Sequence, residues 1–213
     1  MTTEAKLGLA IDRRRSIRRY LPGPIDESII ERILVAATQA PSAHHRQPWR
    51  FAVLDDAASK VKLATAMGER LRKDRTADGD DPKTIEDDVA RSYARITEAP
   101  VVIVACLDDR DMDRYSDGQR NTAEYLMAVQ STAMAVQNLL LAAHGEGLGA
   151  CVMCAPLFCP DSVSDSLGLP IEWQPQMLVT IGIPANAGRI RPRLPLAAVV
   201  HWPRRTDDPS SAR

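Results

Sequence analysis

Between Glu124 and Glu146 no residue carries a formal charge. A run this long without charge folds as a helix buried on most of its surface or as a membrane span. Gln130, Ser131, Thr132, Gln137, Asn138 and His144 interrupt it. A lipid-facing helix would carry that many polar groups at high cost. The stretch from about Asn121 to His144 therefore reads as a long helix in a protein core or a subunit interface, stopped by Gly145, Gly147 and Gly149, and no membrane partner is expected.

The rest of the chain supplies layers around that helix. Asp26 caps a helix whose Ile29, Ile30, Ile33, Leu34 and Ala37 follow a 3.6-residue period, and Ala40-Pro41-Ser42 ends it. Trp49 to Leu54 alternates as a strand does. Residues 57–76 read as a helix with a charged face. Asp81-Pro82 opens another, running to about Glu98. Val101 to Leu107 is a continuous apolar strand, and the Asp-rich stretch 108–118 a loop. Leu148 to Cys154 and Met177 to Ile183 are further strands, with a short helix from Pro160 to Gly168 between them. Pro184, Pro192, Pro195 and Pro203 bar a helix from the tail, which reads as an extended arm. Strands without regular helical spacers favour an α+β layer over a doubly wound parallel sheet. With 213 residues and no linker, one domain over 1–213 is expected, its core at about 13–202.

Composition removes several functions. There are 27 Lys and Arg against 28 Asp and Glu, a net charge of −1, so no global field attracts nucleic acid. The 4% aromatic content gives no stacking platform for single strands. The N-terminal arginines follow a weak apolar run instead of preceding a strong one, so no export signal is read and a cytoplasmic location is expected.

Local charge is another matter. Arg13-Arg14-Arg15-Ser16-Ile17-Arg18-Arg19 packs five arginines into seven residues of a chain with five lysines. Such a cluster is a solvated basic face, a nucleic-acid arm, or a set of planar forks that bind phosphate oxygens. Arg189-Ile190-Arg191-Pro192-Arg193 is a second cluster, and two that met in space would neutralise a phosphate from two sides. The loop Pro41 to Pro48 is a rigid, donor-rich segment or an ordinary connection. Its adjacent His44 and His45 do not converge on one ion, and no acid nearby has ligand spacing, so no metal is expected. Gly145-Glu146-Gly147-Leu148-Gly149 follows a helix and precedes a strand, the reverse of a dinucleotide fingerprint. Cys151 and Cys154 fall on opposite faces of a strand, which suits buried structural cysteines better than a dithiol.

Taken in order, these pieces resemble the FMN-dependent nitroreductase superfamily. Arg14-Arg15-Ser16-Ile17-Arg18 is similar to its first motif, Pro41-Ser42 with Gln47-Pro48-Trp49 to its second. Gly147-Leu148-Gly149-Ala150-Cys151 and the Arg191-x-Arg193-x-Pro195 tail are similar to its third and fourth. Within it, Ala40-Pro41 with His44-His45, Arg72 to Gly79, Val89-Ala90-Arg91 and Leu169 to Trp173 resemble the C-terminal flavin domain of FbiB-type enzymes of coenzyme F-420 synthesis. The resemblance implies a homodimer with a mixed sheet flanked by helices, a C-terminal arm around the partner, and FMN in clefts at the interface. By position, Arg14, Arg18 and Arg191 would hold the phosphate with Arg193 beside them. Arg15 and Ser16 would meet the ribityl chain or ring edge, with Ile17 completing that motif. Ser42 would approach the ring from the other subunit, and Met153 would offer backbone groups to it. Residues 60–95 would form a lid whose Arg70, Arg72 and Lys73 suit an anionic, conjugated substrate such as a deazaflavin, with Asp74 in contact. No catalytic side chain is expected, because hydride chemistry belongs to the flavin.

Overall fold

The computed structural model describes residues 3–203, with side chains from residue 8 onward. The ends of the expected domain, 1–2 and 204–213, lie outside them. In chain order the elements are α1 (Thr3–Arg13), α2 (Glu27–Thr38), β1 (Trp49–Leu54), α3 (Ala57–Ala77), α4 (Pro82–Thr97), β2 (Val101–Leu107), α5 (Gly118–Gly145), β3 (Gly149–Met153), α6 (Pro160–Leu167) and β4 (Gln174–Gly182). Asp26, Asp56, Asp81 and Asp117 cap α2 to α5, each carboxylate accepting a backbone N–H in the first turn. Gly168, at φ +62°, closes α6 in the left-handed conformation.

The strands form one sheet in the order β1-β2-β4-β3, every neighbouring pair antiparallel. A mixed sheet was expected. Among the described residues, the parallel contribution is a single bridge from Ser16 to Ala150.

The unbroken apolar run of β2 is explained by helices on both faces, not by parallel pairing. Val101, Ile103 and Ala105 point into a cluster with Ile30 and Ile33 of α2 and Val136, Leu139 and Leu140 of α5. Val102, Val104 and Cys106 point the other way, onto Leu63 and Met67 of α3, Ile96 of α4 and Val163 of α6. Burial there pushes the Cys106 thiol up to about 12.

By length and composition α5 is apolar enough to cross a membrane. In the fold it packs one side on α2 and the sheet, and it leaves Tyr125, Leu126 and Met134 exposed. Several elements depart from expectation: α5 starts at Gly118, three residues before Asn121, and the tail holds a short 3-10 turn at Leu196–Ala198. α1 occupies residues where the sequence shows only a weak apolar run ahead of the arginine cluster. β4 begins at Gln174, three residues before Met177, because an irregularity opposite Ala105 and Cys106 lets Pro175, which has no N–H, join the ladder.

Candidate functional site

After α1 the chain runs extended past the edge of the sheet. The Ile17 N–H donates to the Ala150 carbonyl at 3.0 Å, Leu21 N–H to Ile183 at 2.8 Å, and Ala185 N–H donates back to Arg19 at 3.1 Å. Two glycines permit this approach. A Cβ on Gly149 would stand 2.7 Å from the Cβ of buried Ile17, and one on Gly182 would stand 2.6 Å from the Tyr20 ring. The Tyr20 hydroxyl sits 2.6 Å from the Ile17 carbonyl and 2.7 Å from Thr180 Oγ1. Burial drives its pKa well above the usual tyrosine value. With Ile17 and Tyr20 turned inward, Ser16, Arg18 and Arg19 face solvent.

The chain leaving β4 returns to the same place. Gly188 has φ +72°, and a Cβ on it would stand 2.8 Å from Ile17 Cδ1 and 2.9 Å from Arg15 Cβ. Residues 189–193 thereby come alongside residues 14–19. Together they line a cleft of about 1390 Å³ whose walls include Arg14, Arg15, Ser16, Arg18, Arg19, Arg189, Arg191 and Arg193.

α4 adds Arg91, Arg95 and Glu98 to this cleft, and α5 adds Gln137. From sequence, Arg91 and Arg95 fell within the expected lid and were given no place at the cofactor, although Arg91, Ala94, Arg95 and Glu98 share one helix face by spacing alone. Nine arginines thus meet two acids, Asp12 and Glu98. Arg91 pairs with Asp88. Among the described residues the other eight form no ion pair, and Arg15 donates only to the backbone carbonyls of Asp12 and Arg14. Beneath them lies Cys151. Burial raises its thiol pKa, and the nearby Arg18 and Arg95 draw it only partly back down.

Other expected site residues stand elsewhere. Ser42 does not line the cleft; its Oγ accepts the Gln47 N–H at 3.0 Å and closes a tight loop. In that loop His44, His45 and Gln47 all have φ near +50°, a conformation L-residues adopt only when their surroundings impose it. Met153 ends β3, half-buried against the α3–α6 face.

Asp74 pairs with Arg70 at 2.7 Å, and Arg72 with Glu86 at 2.6 Å. Lys62, Arg70 and Lys73 line a second, smaller cleft of about 710 Å³ between α3 and α6, with Glu69 and Asp165. Of the four cysteines, all free, Cys154 is exposed and is not the buried group expected.

The nitroreductase family model matches residues 11–183, a span from the first arginine cluster to the end of β4. The chain belongs to the nitroreductase family. It is 33% identical over 214 residues to a NADH dehydrogenase of Thermus thermophilus, covering 89% of this chain and 92% of that one. To a 5,6-dimethylbenzimidazole synthase of Rhodospirillum rubrum it is 31% identical over 172 residues, covering 80% and 78%. Among solved structures it is similar to an FMN complex of a Desulfovibrio desulfuricans protein assigned as a nitroreductase. There the TM-score is 0.70 at 26% identity, over 93% of this chain and 98% of that one. As a member of the nitroreductase family, the protein is an FMN-dependent oxidoreductase.

Proposed function

We propose that the arginine-lined cleft is where this nitroreductase holds the FMN phosphate, with Arg14, Arg18 and Arg191 on its oxygens and Arg193 beside them. The observation that carries the reading is the meeting of two arginine clusters, remote in sequence, in one cleft where eight guanidinium groups lack an ion-pair partner among the described residues. Unpaired arginines at this density repel one another, and a dianion between them supplies the missing countercharge. Arg15 and Ser16 lie next along the chain, toward the ribityl position. Ile17 acts through its packing on Gly149, because its N–H is already used by Ala150. Ser42 and Met153 are assigned to the ring, Ser42 from the second subunit of a homodimer. Ile190, Leu194, Leu196, Val199 and Trp202, exposed along the tail, support an arm lying over that partner.

Bound FMN supplies two-electron hydride chemistry, and the chain positions it and excludes water. The reaction proposed is transfer from a nicotinamide donor to a small, flat, conjugated acceptor such as a quinone or nitroaromatic. Its support is the NADH dehydrogenase relative. A narrower reading, a deazaflavin-type acceptor such as a dehydro precursor of coenzyme F-420, rests on Lys62 and Lys73 in the second cleft, where they offer charge to an anionic substrate. A third is a flavin- or deazaflavin-binding module without turnover.

The visible spectrum of the purified protein and an FMN titration test the cofactor site. Flavin absorbance with saturable binding is expected, and neither being seen would refute it. Turnover of NADH or NADPH with quinones but no deazaflavin binding selects the first reading, and tight deazaflavin binding the second. Bound FMN that no acceptor reoxidises selects the third.

A further inference from the structure

Glu124, in the second turn of α5, has 4% of its surface exposed, and its Oε2 has no hydrogen-bond partner among the described residues. A buried carboxylate oxygen with nothing to bond is rare in folded proteins and calls for a cation, a proton or a water. Two further ligand groups face it. A ring nitrogen of His44 and a carboxylate oxygen of Asp113 lie within 4.8 Å of each other and of the Glu124 oxygen. The three come from separate pieces of chain: the tight loop before β1, the loop before α5, and α5 itself.

Their remaining contacts leave the His44 ring and the second oxygen of Asp113 available. His44 is held at φ +49°, ψ 23°, and its ring makes no hydrogen bond among the described residues. His45, by contrast, is engaged with Gln47 at 3.1 Å. Asp113 accepts from Arg46 through Oδ1 at 2.7 Å, so the nearby cation serves Asp113 and not Glu124. A divalent ion satisfies all three groups at once.

We propose that His44, Asp113 and Glu124 form a binding site for a divalent transition-metal ion of the zinc type. One imidazole nitrogen and two carboxylate oxygens suit zinc; the nitrogen disfavours magnesium and calcium, and the lack of thiolate disfavours copper(I). Bond lengths of about 2.0–2.2 Å put the ligand atoms of a tetrahedral site roughly 3.4 Å apart. Rotation of His44 and Asp113, the two ligands nearer the surface, closes the difference onto a fixed Glu124. Three protein ligands leave one position for water. None of the three residues lines the arginine cleft; Ser42, two residues before His44 in the same loop, is assigned to the ring, and a zinc titration reads the metal site without reference to that assignment. The sequence argued against a metal because no acid lies near the histidines; the fold brings two from more than sixty residues away. The ion would tie the strained loop to α5.

The test uses the flavoprotein as purified, stripped with EDTA and titrated calorimetrically with zinc chloride and, in parallel, magnesium chloride. Wild-type protein is expected to bind one zinc per chain and no magnesium. His44→Asn, which tolerates the left-handed backbone, and Glu124→Gln are each expected to weaken zinc on the order of 10-fold or more. At one zinc concentration the thermal midpoint of the wild type should rise more than that of either variant. Without metal, Glu124→Gln, which keeps the shape of the side chain, should melt close to the wild type. Absence of a saturable zinc site, equal magnesium binding, or zinc affinity that survives either substitution would overturn the proposal, the last by placing the ion on other groups such as the exposed Cys154.

Discussion

Gly149→Ala tests whether the N-terminal arginines are positioned by the sheet edge. The added methyl would stand 2.7 Å from Ile17 Cβ and 2.8 Å from both Cγ atoms. These atoms are not the far end of a flexible chain, because Ile17 Cβ is fixed by its backbone, which is bonded to Ala150 at 3.0 Å. Relief therefore requires the segment 16–18 to move outward. Overpacking costs about 1–3 kcal/mol, and loss of the Ile17 hydrogen bond adds about 0.5–1.5 kcal/mol. A drop in unfolding free energy of roughly 1.5–4.5 kcal/mol follows, read from the urea midpoint at unchanged slope. Displacing even one of Arg15 and Arg18 should also weaken FMN about 10-fold. A double-mutant cycle assigns the cause: on an Ile17→Gly background there is no Cβ to strike, so Gly149→Ala should cost much less. Wild-type stability and FMN affinity in the single variant, or a cycle with no coupling, would refute the account.

Removal of a single guanidinium in Arg18→Ala should raise the FMN dissociation constant by roughly 10- to 150-fold, the worth of one charge-assisted contact, in a fluorescence titration. Tyr20→Phe leaves Thr180 Oγ1 and the Ile17 carbonyl short of a partner and should cost about 1–3 kcal/mol in urea denaturation. Raising salt should stabilise the FMN-free protein, by screening the unpaired arginines, while weakening FMN; melts and titrations across a sodium chloride series should show opposite slopes. Bonding to Arg110, and the Arg50 charge, hold the Asp108 carboxyl below the usual range. Its contribution is then complete above about pH 4 and lost as pH falls through the depressed value, so Asp108→Asn should flatten the acid limb of a stability–pH curve.

Element positions were largely legible because their signals are local. Asp26, Asp81-Pro82 and Gly168 mark helix ends by side-chain chemistry that needs no tertiary partner, and they stand where expected. The burial of β2 on both faces was legible too, but not its pairing direction, because an apolar run reports what covers a strand and not how its neighbours run. In the cleft, the two arginine clusters could be seen, but their meeting could not. It depends on Gly149, Gly182 and Gly188, and the close approach each permits is visible only once the chain has folded. The same limit hid the acids opposite His44. The ion pairs of Arg70 and Arg72 were also hidden, and they give part of an expected substrate surface acidic partners in Asp74 and Glu86.

The segment 14–21 serves two needs at once. β3 is an edge strand, and an uncovered edge is a template for pairing with another chain. Here the extended segment covers part of that edge through Ile17 and Ala150, and it continues past β4 through Tyr20, Leu21 and Ile183. The backbone bonds and inward side chains that protect the edge leave the outward positions unconstrained by packing, and those positions carry the arginines. Their mutual repulsion would splay a free segment. Pinned at the sheet edge and met by residues 189–193, they remain convergent before any anion arrives. Less ordering is then left for the binding step, which favours tight capture of a phosphate dianion from a few well-placed contacts.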